Sequence, residues 1–316
     1  MVPMKFGVKT GQGGYSYEEL KDVWVAADEL GFDSAWLYDH FFALGNKRAQ
    51  CLEAWTTLAA LAAATKRLRI GTMVTSASYR HPSLLAKMAT TVDIVSGGRL
   101  IVGLGAGWYE EEYVAYGYSF PNNGTRVLQL KETLILLRKL WTEEYVTFDG
   151  KYFSLQEAVS SPKPLQPNGP AIVVGITKGT RTLPMFAVRY ADGFNTPTSF
   201  DNCKAIVTSV RENCERYGRK QDDLTMSWQG FALIGRSQNE IESTLEQGAK
   251  RLGMTISEFN QRARKQGWLI GDPDYCVREL QKWKEIGINH LILSFPNDIE
   301  VAPMELFMDR VAPKLK

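Results

Sequence analysis

Short apolar runs alternate with amphipathic stretches from end to end of the chain, and the alternation predicts eight strand–helix units. Phe6–Val8 reads as the first strand. Its helix opens near Ser16, where Glu19 three residues on completes a capping box, and it closes at Gly31. Ala35–Tyr38 is the second strand, followed by a helix over Glu53–Thr65. Leu68–Val74 is the third, and Pro82 is a favourable first residue for the helix after it. Arg99–Leu104 makes the fourth strand, with a long amphipathic helix over Arg126–Trp141. Ala171–Val174 and the short Ala191–Asn195 are the fifth and sixth, followed by helices over about Thr180–Tyr190 and up to Gly218. Leu224–Ile234 holds the seventh, with helices through about Gln266 and again over Pro273–Ile286. His290–Ser294 is the eighth strand, and a helix over Pro303–Val311 ends the chain.

Eight such units in series predict a closed parallel (β/α)8 barrel of the TIM-barrel class, since an open doubly wound sheet would need fewer units or a reversal point. One domain is expected over residues 1–316, a length that α/β barrels often use for a single unit. Two connections exceed the usual few residues: about 108–125 and 142–170. The second carries Thr147–Phe153, where Asp149-Gly150 between alternating residues reads as a hairpin. Insertions of this kind shape the mouth of a barrel.

Composition narrows the function. With 44% hydrophobic residues the chain can bury a large core, and a net charge of +2 without a basic block is too weak and diffuse for a nucleic-acid footprint. No basic segment followed by an apolar stretch marks the start as a signal peptide, and the longest apolar run, Leu58–Ala64, is too short to span a bilayer. Cys51, Cys203, Cys214 and Cys276 lack metal or redox spacing and read as reduced thiols in a soluble cytoplasmic protein.

The strand ends gather the candidate chemistry. Asp39-His40 closes an apolar strand and opens a loop, and an imidazole placed there is poised to move protons near neutral pH. The competing reading is a capped loop with a surface histidine. Gly103-Leu-Gly-Ala-Gly107 has the wrong spacing for a dinucleotide fingerprint; its bare backbone instead suits a flat ring or polyol lying close, or else a tight turn. Trp108 offers a stacking wall or a core residue. Gly175-Ile-Thr-Lys-Gly-Thr-Arg181 precedes a helix, whose amide donors together with Thr180 and Arg181 suit a phosphate. His290 reads as packed, Glu53 as a favourable first-turn charge, and the run Glu110–Tyr113 as solvated. No His, Cys, Asp and Glu cluster has metal spacing, so no metal is expected.

Leu30-Gly-Phe-Asp-Ser-Ala-Trp-Leu-Tyr-Asp-His-Phe41 resembles the second-strand signature of luciferase-like monooxygenases, above all the branch using the deazaflavin coenzyme F420. The likeness continues through Ile70–Val74, Tyr79–Pro82, Asp93–Arg99, Gly105–Trp108, Phe148–Gly150, Pro162–Gln166 and Tyr190–Asn195. It implies a bacterial luciferase-like barrel with coenzyme F420 at the strand C-termini. By similarity, Asp39 would contact the deazaflavin ring and His40 would handle the substrate proton. Met73-Val74, with Thr75 beside it, aligns with a bulge that carries a non-proline cis peptide in relatives and supports the ring. Ala106, Gly107 and Trp108 would line the ring or its side chain, and Gly175, Ile176, Thr180 and Arg181 would hold the phosphate.

Two departures stand out: Ile176 replaces a second glycine, and Trp108 stands where sugar-phosphate dehydrogenases of the branch carry a glutamate. The latter speaks against a sugar-phosphate dehydrogenase. The implied activity is hydride transfer between the deazaflavin and a small organic substrate. The alternatives are an FMN-dependent monooxygenase using reduced flavin and dioxygen, and a non-catalytic flavin-binding barrel. Tyr109, Tyr113, Tyr116, Tyr118 and Phe120 suggest an apolar entrance, and the family likeness implies a homodimer.

Overall fold

The computed structural model describes residues 3–315. Its strands are β1 (Lys5–Lys9), β2 (Ser34–Leu37), β3 (Arg69–Ser76), β4 (Leu100–Gly105), β5 (Val146–Asp149), β6 (Ser154–Ala158), β7 (Ala171–Gly175), β8 (Gly193–Thr196), β9 (Thr225–Ile234), β10 (Leu269–Gly271) and β11 (His290–Ser294). Around them run α1 (Tyr17–Glu29), α2 (Ala54–Ala64), α3 (Pro82–Val95), α4 (Glu110–Ala115), α5 (Asn123–Thr142), α6 (Thr182–Tyr190), α7 (Phe200–Tyr217), α8 (Gln238–Arg251), α9 (Ile256–Gln266), α10 (Pro273–Glu285) and α11 (Ala302–Arg310). Eight parallel strands, in the order β1-β2-β3-β4-β7-β8-β9-β11, close on themselves as β11 pairs with β1. This is the expected (β/α)8 barrel.

Strand alternation divides the barrel's side chains into two cores. Phe6, Val8, Ala35, Leu37, Ile70 and Val102 face outward and join the helices in one continuous apolar cluster. Trp36, Met73, Val173 and Ile292 face inward and form a separate, smaller one. The interior is tight enough to demand glycine: a Cβ on Gly71 would come within 2.6 Å of the Trp36 ring. Beneath this layer Trp36 Nε1 donates to Ser34 Oγ at 2.8 Å, and His290 Nε2 lies 2.8 Å from the same oxygen. Burial pushes the His290 imidazole down to about 3, so it is a neutral, packed side chain, as its apolar strand suggested.

Local chemistry sets the helix starts. Ser16 and Glu19 form the capping box of α1, and His81 caps α3 ahead of Pro82. Glu53 caps α2 by accepting from the Trp55 and Thr56 amides at 3.1 and 2.6 Å.

The insertions differ in part from expectation. The first is no bare loop, because α4 folds within it and α5 begins at Asn123. The second does contain the hairpin, β5–β6, but its turn is longer than Asp-Gly alone. The turn is organised from outside by Glu132 of α5, whose carboxylate accepts from the Lys151, Tyr152 and Phe153 amides. A third insertion was not anticipated. β9 continues past the barrel, pairs Ala232–Ile234 with β10, and packs with α8 and α9 around Leu233, Ala249 and Phe259.

Candidate active site

Most of the barrel wall is buried, and partial accessibility returns at the C-terminal strand ends, at Lys9, His40, Val74, Gly175 and Gln229. That end is where a barrel of this class builds its site.

Asp39 and His40, adjacent in sequence, turn to different partners. Asp39 is buried, and Arg80 of the β3–α3 connection grips both its oxygens, at 2.6 and 3.1 Å. Arg80 also reaches Glu53 at 2.6 Å, so one guanidinium ties the ends of β2 and β3 to the start of α2. Burial raises the Asp39 carboxyl above its ordinary range against the pull of Arg80. The resemblance gave Asp39 a ring contact; the structure spends its carboxylate on Arg80. Glu53 in turn does more than the first-turn charge expected of it.

His40 turns instead to Glu112, with Nδ1 at 2.8 Å from the carboxylate. Glu112 is fully buried and also accepts from the Phe41 and Phe42 amides, both at 2.9 Å, and from the Tyr79 hydroxyl at 2.7 Å. Burial alone would push its carboxyl up. The imidazole, the Phe42 amide and the Tyr79 hydroxyl outweigh that and hold it below the usual carboxylate range. This corrects the solvated reading of Glu110–Tyr113. Three consecutive acids look like a wetted face, but α4 is short and turns Glu112 and Tyr113 inward, leaving Glu110 and Glu111 exposed. Tyr113 completes the buried network by bonding Ser76 and Ser78. The signal that could have revealed it is the spacing, since Glu112-Tyr113 are the two helix residues that face the barrel across the glycine-rich turn.

An anionic carboxylate accepts from Nδ1–H, which leaves Nε2 as the imidazole position free to take or give a proton. The ring sits edge-on to Tyr38, Trp108 and Tyr109, with centroids 5.5, 5.7 and 5.9 Å away. Trp108 stacks on Tyr109 and is 64% exposed, so it is a wall at the rim and not part of the core.

The β3 bulge lies two strands along from β1, with the register against β4 shifting between Thr72 and Thr75 and a cis peptide joining Met73 to Val74. Only Val74 keeps accessible surface there. Met73 packs into the barrel interior, and Thr75 Oγ1 is buried between Trp55 Nε1 at 2.9 Å and Thr72 Oγ1 at 2.8 Å. The side chains of Met73 and Thr75 are thus held in the packing of the bulge, and Val74 is the one of the three that keeps accessible surface.

The glycines have a structural use of their own. A Cβ on Gly103 would collide with the Thr72 carbonyl and one on Gly105 would meet Val74 Cγ2 at 2.8 Å, so both make room for the bulge itself. Gly107 has φ +81° and backs onto the Tyr113 hydroxyl, which only glycine tolerates. Ala106 and Gly107 remain partly accessible beside Trp108.

Gly175 faces Val74, where a Cβ would approach Cγ2 at 3.0 Å. Ile176 is withdrawn from any phosphate: its side chain is in the core, and its amide donates to the Asn195 carbonyl at 2.8 Å. Thr177 to Arg181 are exposed and hold two cations, Lys178 and Arg181, with Gly179 at φ +85°. Helix α6 starts at Thr182, two residues later than expected. Among the described residues no group of His, Cys, Asp and Glu side chains could hold a metal, and no helix is long and apolar enough to cross a membrane.

The described mouth, with His40 just beyond β2, a cis-peptide bulge on β3 and a glycine-rich exit from β4, belongs to a parallel (β/α)8 barrel whose family is shown by comparison with known proteins. The luciferase-like monooxygenase pattern matches residues 1–290, and the chain belongs to that family. Among its relatives are the F420-dependent glucose-6-phosphate dehydrogenases of Amycolatopsis mediterranei, 27% identical over 99% of both chains, and of Nakamurella multipartita, 28% identical over 99% of this chain and 97% of the relative. Among solved structures, an F420-dependent secondary alcohol dehydrogenase in complex with an F420-acetone adduct superposes with TM-score 0.84, at 22% identity and 99% coverage of both chains. The monooxygenase RslO1 from Streptomyces bottropensis gives 0.85, also at 22% identity, over 98% of this chain and 99% of its own.

Proposed function

We propose that this protein is an F420-dependent oxidoreductase that passes a hydride between the deazaflavin and a small organic substrate, with His40 moving the accompanying proton. The observation that carries the reading is the His40–Glu112 pair. A fully buried carboxylate fixes the imidazole by Nδ1, leaving Nε2 unspent on a residue that keeps accessible surface at the open end of the barrel. The names of the full-length relatives support the choice of coenzyme.

The residues present fit such a coenzyme. Val74 is an apolar step held between Gly105 and Gly175, against which a flat ring can lie, and the exposed cations Lys178 and Arg181 suit an anionic tail. When bound, the deazaflavin supplies the carbon that takes or gives the hydride, because it is an obligate hydride carrier. The protein's own part is electrostatic and geometric. Glu112 orients His40, the Asp39–Arg80–Glu53 chain braces the strand ends, and Trp108 with Tyr109 shields the imidazole from bulk water. Those aromatics give the substrate an apolar wall beside the imidazole.

Titrating the purified protein with coenzyme F420 and, separately, with FMN tests the proposal. Deazaflavin binding with weak or absent FMN binding is expected; tight FMN and no deazaflavin would transfer the protein to the flavin-dependent monooxygenases. A His40→Ala protein with unaltered turnover would remove the imidazole from the reaction. We further propose a cytoplasmic homodimer: all four cysteines are free thiols, as in a reducing compartment, and Leu84, Ile94 and Val95 of α3 and Leu128 of α5 are exposed apolar side chains on neighbouring helices. A monomeric mass by light scattering at micromolar concentration would refute the dimer.

A further inference from the structure

Lys9 is the last residue of β1, and it shares its inward orientation with Gly7, where a Cβ would meet Ser34, His290 and Trp36 inside the barrel. Its ammonium therefore stands in the floor of the mouth, on a residue that keeps only part of its surface accessible. There Nζ reaches past β11 to Gln229 Oε1 on β9, at 3.1 Å. That amide oxygen is the hydrogen-bond acceptor found for it among the described residues, and it leaves two of the three N–H donors unspent.

No carboxylate forms an ion pair with Lys9 among the described residues. Asp298, whose field reaches Lys9, gives its Oδ2 to Arg251 and to the Gly11 amide at 2.7 Å, while its buried Oδ1 has no hydrogen-bond partner among the described residues. The neighbourhood is otherwise unfavourable to a cation: burial and then the Arg251 guanidinium push the amine down to about 8. Proteins rarely bury a charge without pairing it. A barrel floor that does so, at the end where ligands bind, is built to be completed by a ligand.

We infer that Lys9, braced by Gln229, is the anion-receiving group of the mouth and binds an ionised oxygen of the ligand, carried by the coenzyme ring or by the substrate. The inference rests on the reading of this mouth as the coenzyme and substrate site. The charged groups facing Lys9 are Arg251 from α8 and Asp298 beyond β11. Tyr15 and Tyr38 are the neighbouring titratable groups, both raised by burial, and His290 lies below, neutral. Among them Lys9 is the group expected to change charge in mildly alkaline solution. Anion affinity is thus full well below pH 8 and falls about tenfold per unit above it.

The test compares the wild type with Lys9→Met, which keeps the length without the charge, and Lys9→Arg, which keeps the charge. Affinity for oxidised and for reduced coenzyme F420 is read by fluorescence from pH 6.5 to 9.5, and acetate is then titrated into the coenzyme-saturated protein. If the oxygen belongs to the ring, Lys9→Met weakens coenzyme binding about 10–100-fold and flattens its pH dependence, and Lys9→Arg restores much of it. If it belongs to the substrate, coenzyme affinity is unchanged and acetate binding is lost in Lys9→Met. Both affinities within twofold of wild type would overturn the inference. So would a wild type whose coenzyme and acetate affinities do not change across that pH range, a measurement that needs no variant to fold. Failure of coenzyme binding would sink the proposed function alone, because acetate titrated into the coenzyme-free protein, followed by the Lys9 ammonium NMR signal, still decides the case for Lys9.

Discussion

Two neighbouring strand ends of the barrel mouth treat charge in opposite ways. On the β2 side, the His40 imidazole rests against a buried carboxylate that accepts four hydrogen bonds. On the β1 side, the Lys9 ammonium meets only a neutral amide, and its possible counterion is given to Arg251. The first arrangement holds one tautomer and leaves one nitrogen for proton movement. The second leaves a cation in want of an anion. Two basic side chains on adjacent strands are thereby fitted for different tasks, and what separates them is the company each keeps, since both stand at strand ends.

The largest effect expected from breaking this contrast is at His40. His40→Ala should lower turnover with the coenzyme about 10²–10⁴-fold while coenzyme affinity changes little, and a loss below fivefold in steady-state assays would contradict the role. Glu112→Gln comes next, at about 10–100-fold, because an amide no longer imposes Nδ1–H on the ring. Imidazole ¹⁵N shifts should show the tautomer preference weakened in that variant, which a purely structural loss of the loop would not produce.

Acid should also act on the two sides in different pH windows. His290, beneath Lys9, has a depressed folded-state pKa of about 3. The unfolded chain therefore binds its proton first, and stability falls as the pH drops below about 6.5, by about 2 kcal/mol at pH 5. Denaturation of a His290→Asn variant should lack that slope. Glu112 is also depressed, but as a carboxylate: its contribution is complete above the ordinary carboxylate range and is lost only as the pH falls below it. The smallest effect is at the rim. Trp108→Ala should shift unfolding free energy by no more than about 0.5 kcal/mol, because the side chain is 64% exposed, while altering the KM for the substrate.

Sequence periodicity carried the barrel well. Alternating apolar runs located all eight barrel strands, and the Ser16–Glu19 box and Pro82 located helix starts, because these signals are local. Asp39-His40 was legible as a site for a similar reason, being two polar residues at the end of a buried strand. What stayed hidden depended on facing direction. Met73, Val74 and Thr75 look interchangeable along the chain, yet the bulge sends Met73 inward, ties Thr75 to Trp55 and leaves Val74 accessible. Ile176 reads as part of a phosphate loop until its amide is seen bonded to Asn195. Glu112 was lost among like neighbours, and only the burial of one face of a short helix separates it from Glu110 and Glu111. Lys9 carried no signal in sequence because a strand-end lysine is commonplace; its interest lies in the partner it lacks.

The overlong β9 has a mechanical consequence. Because one unbroken strand is shared between the cylinder and the β10–α8–α9 outgrowth, and Arg251 pins that outgrowth to the Phe295 carbonyl at 2.8 Å, this part of the rim is a buttress and not a swinging cover. Amide exchange along Ala232–Ile234 should then slow in step with Ser227–Gly230. Any opening that admits a ligand would have to come from the opposite shore, where α4 and its aromatic neighbours stand.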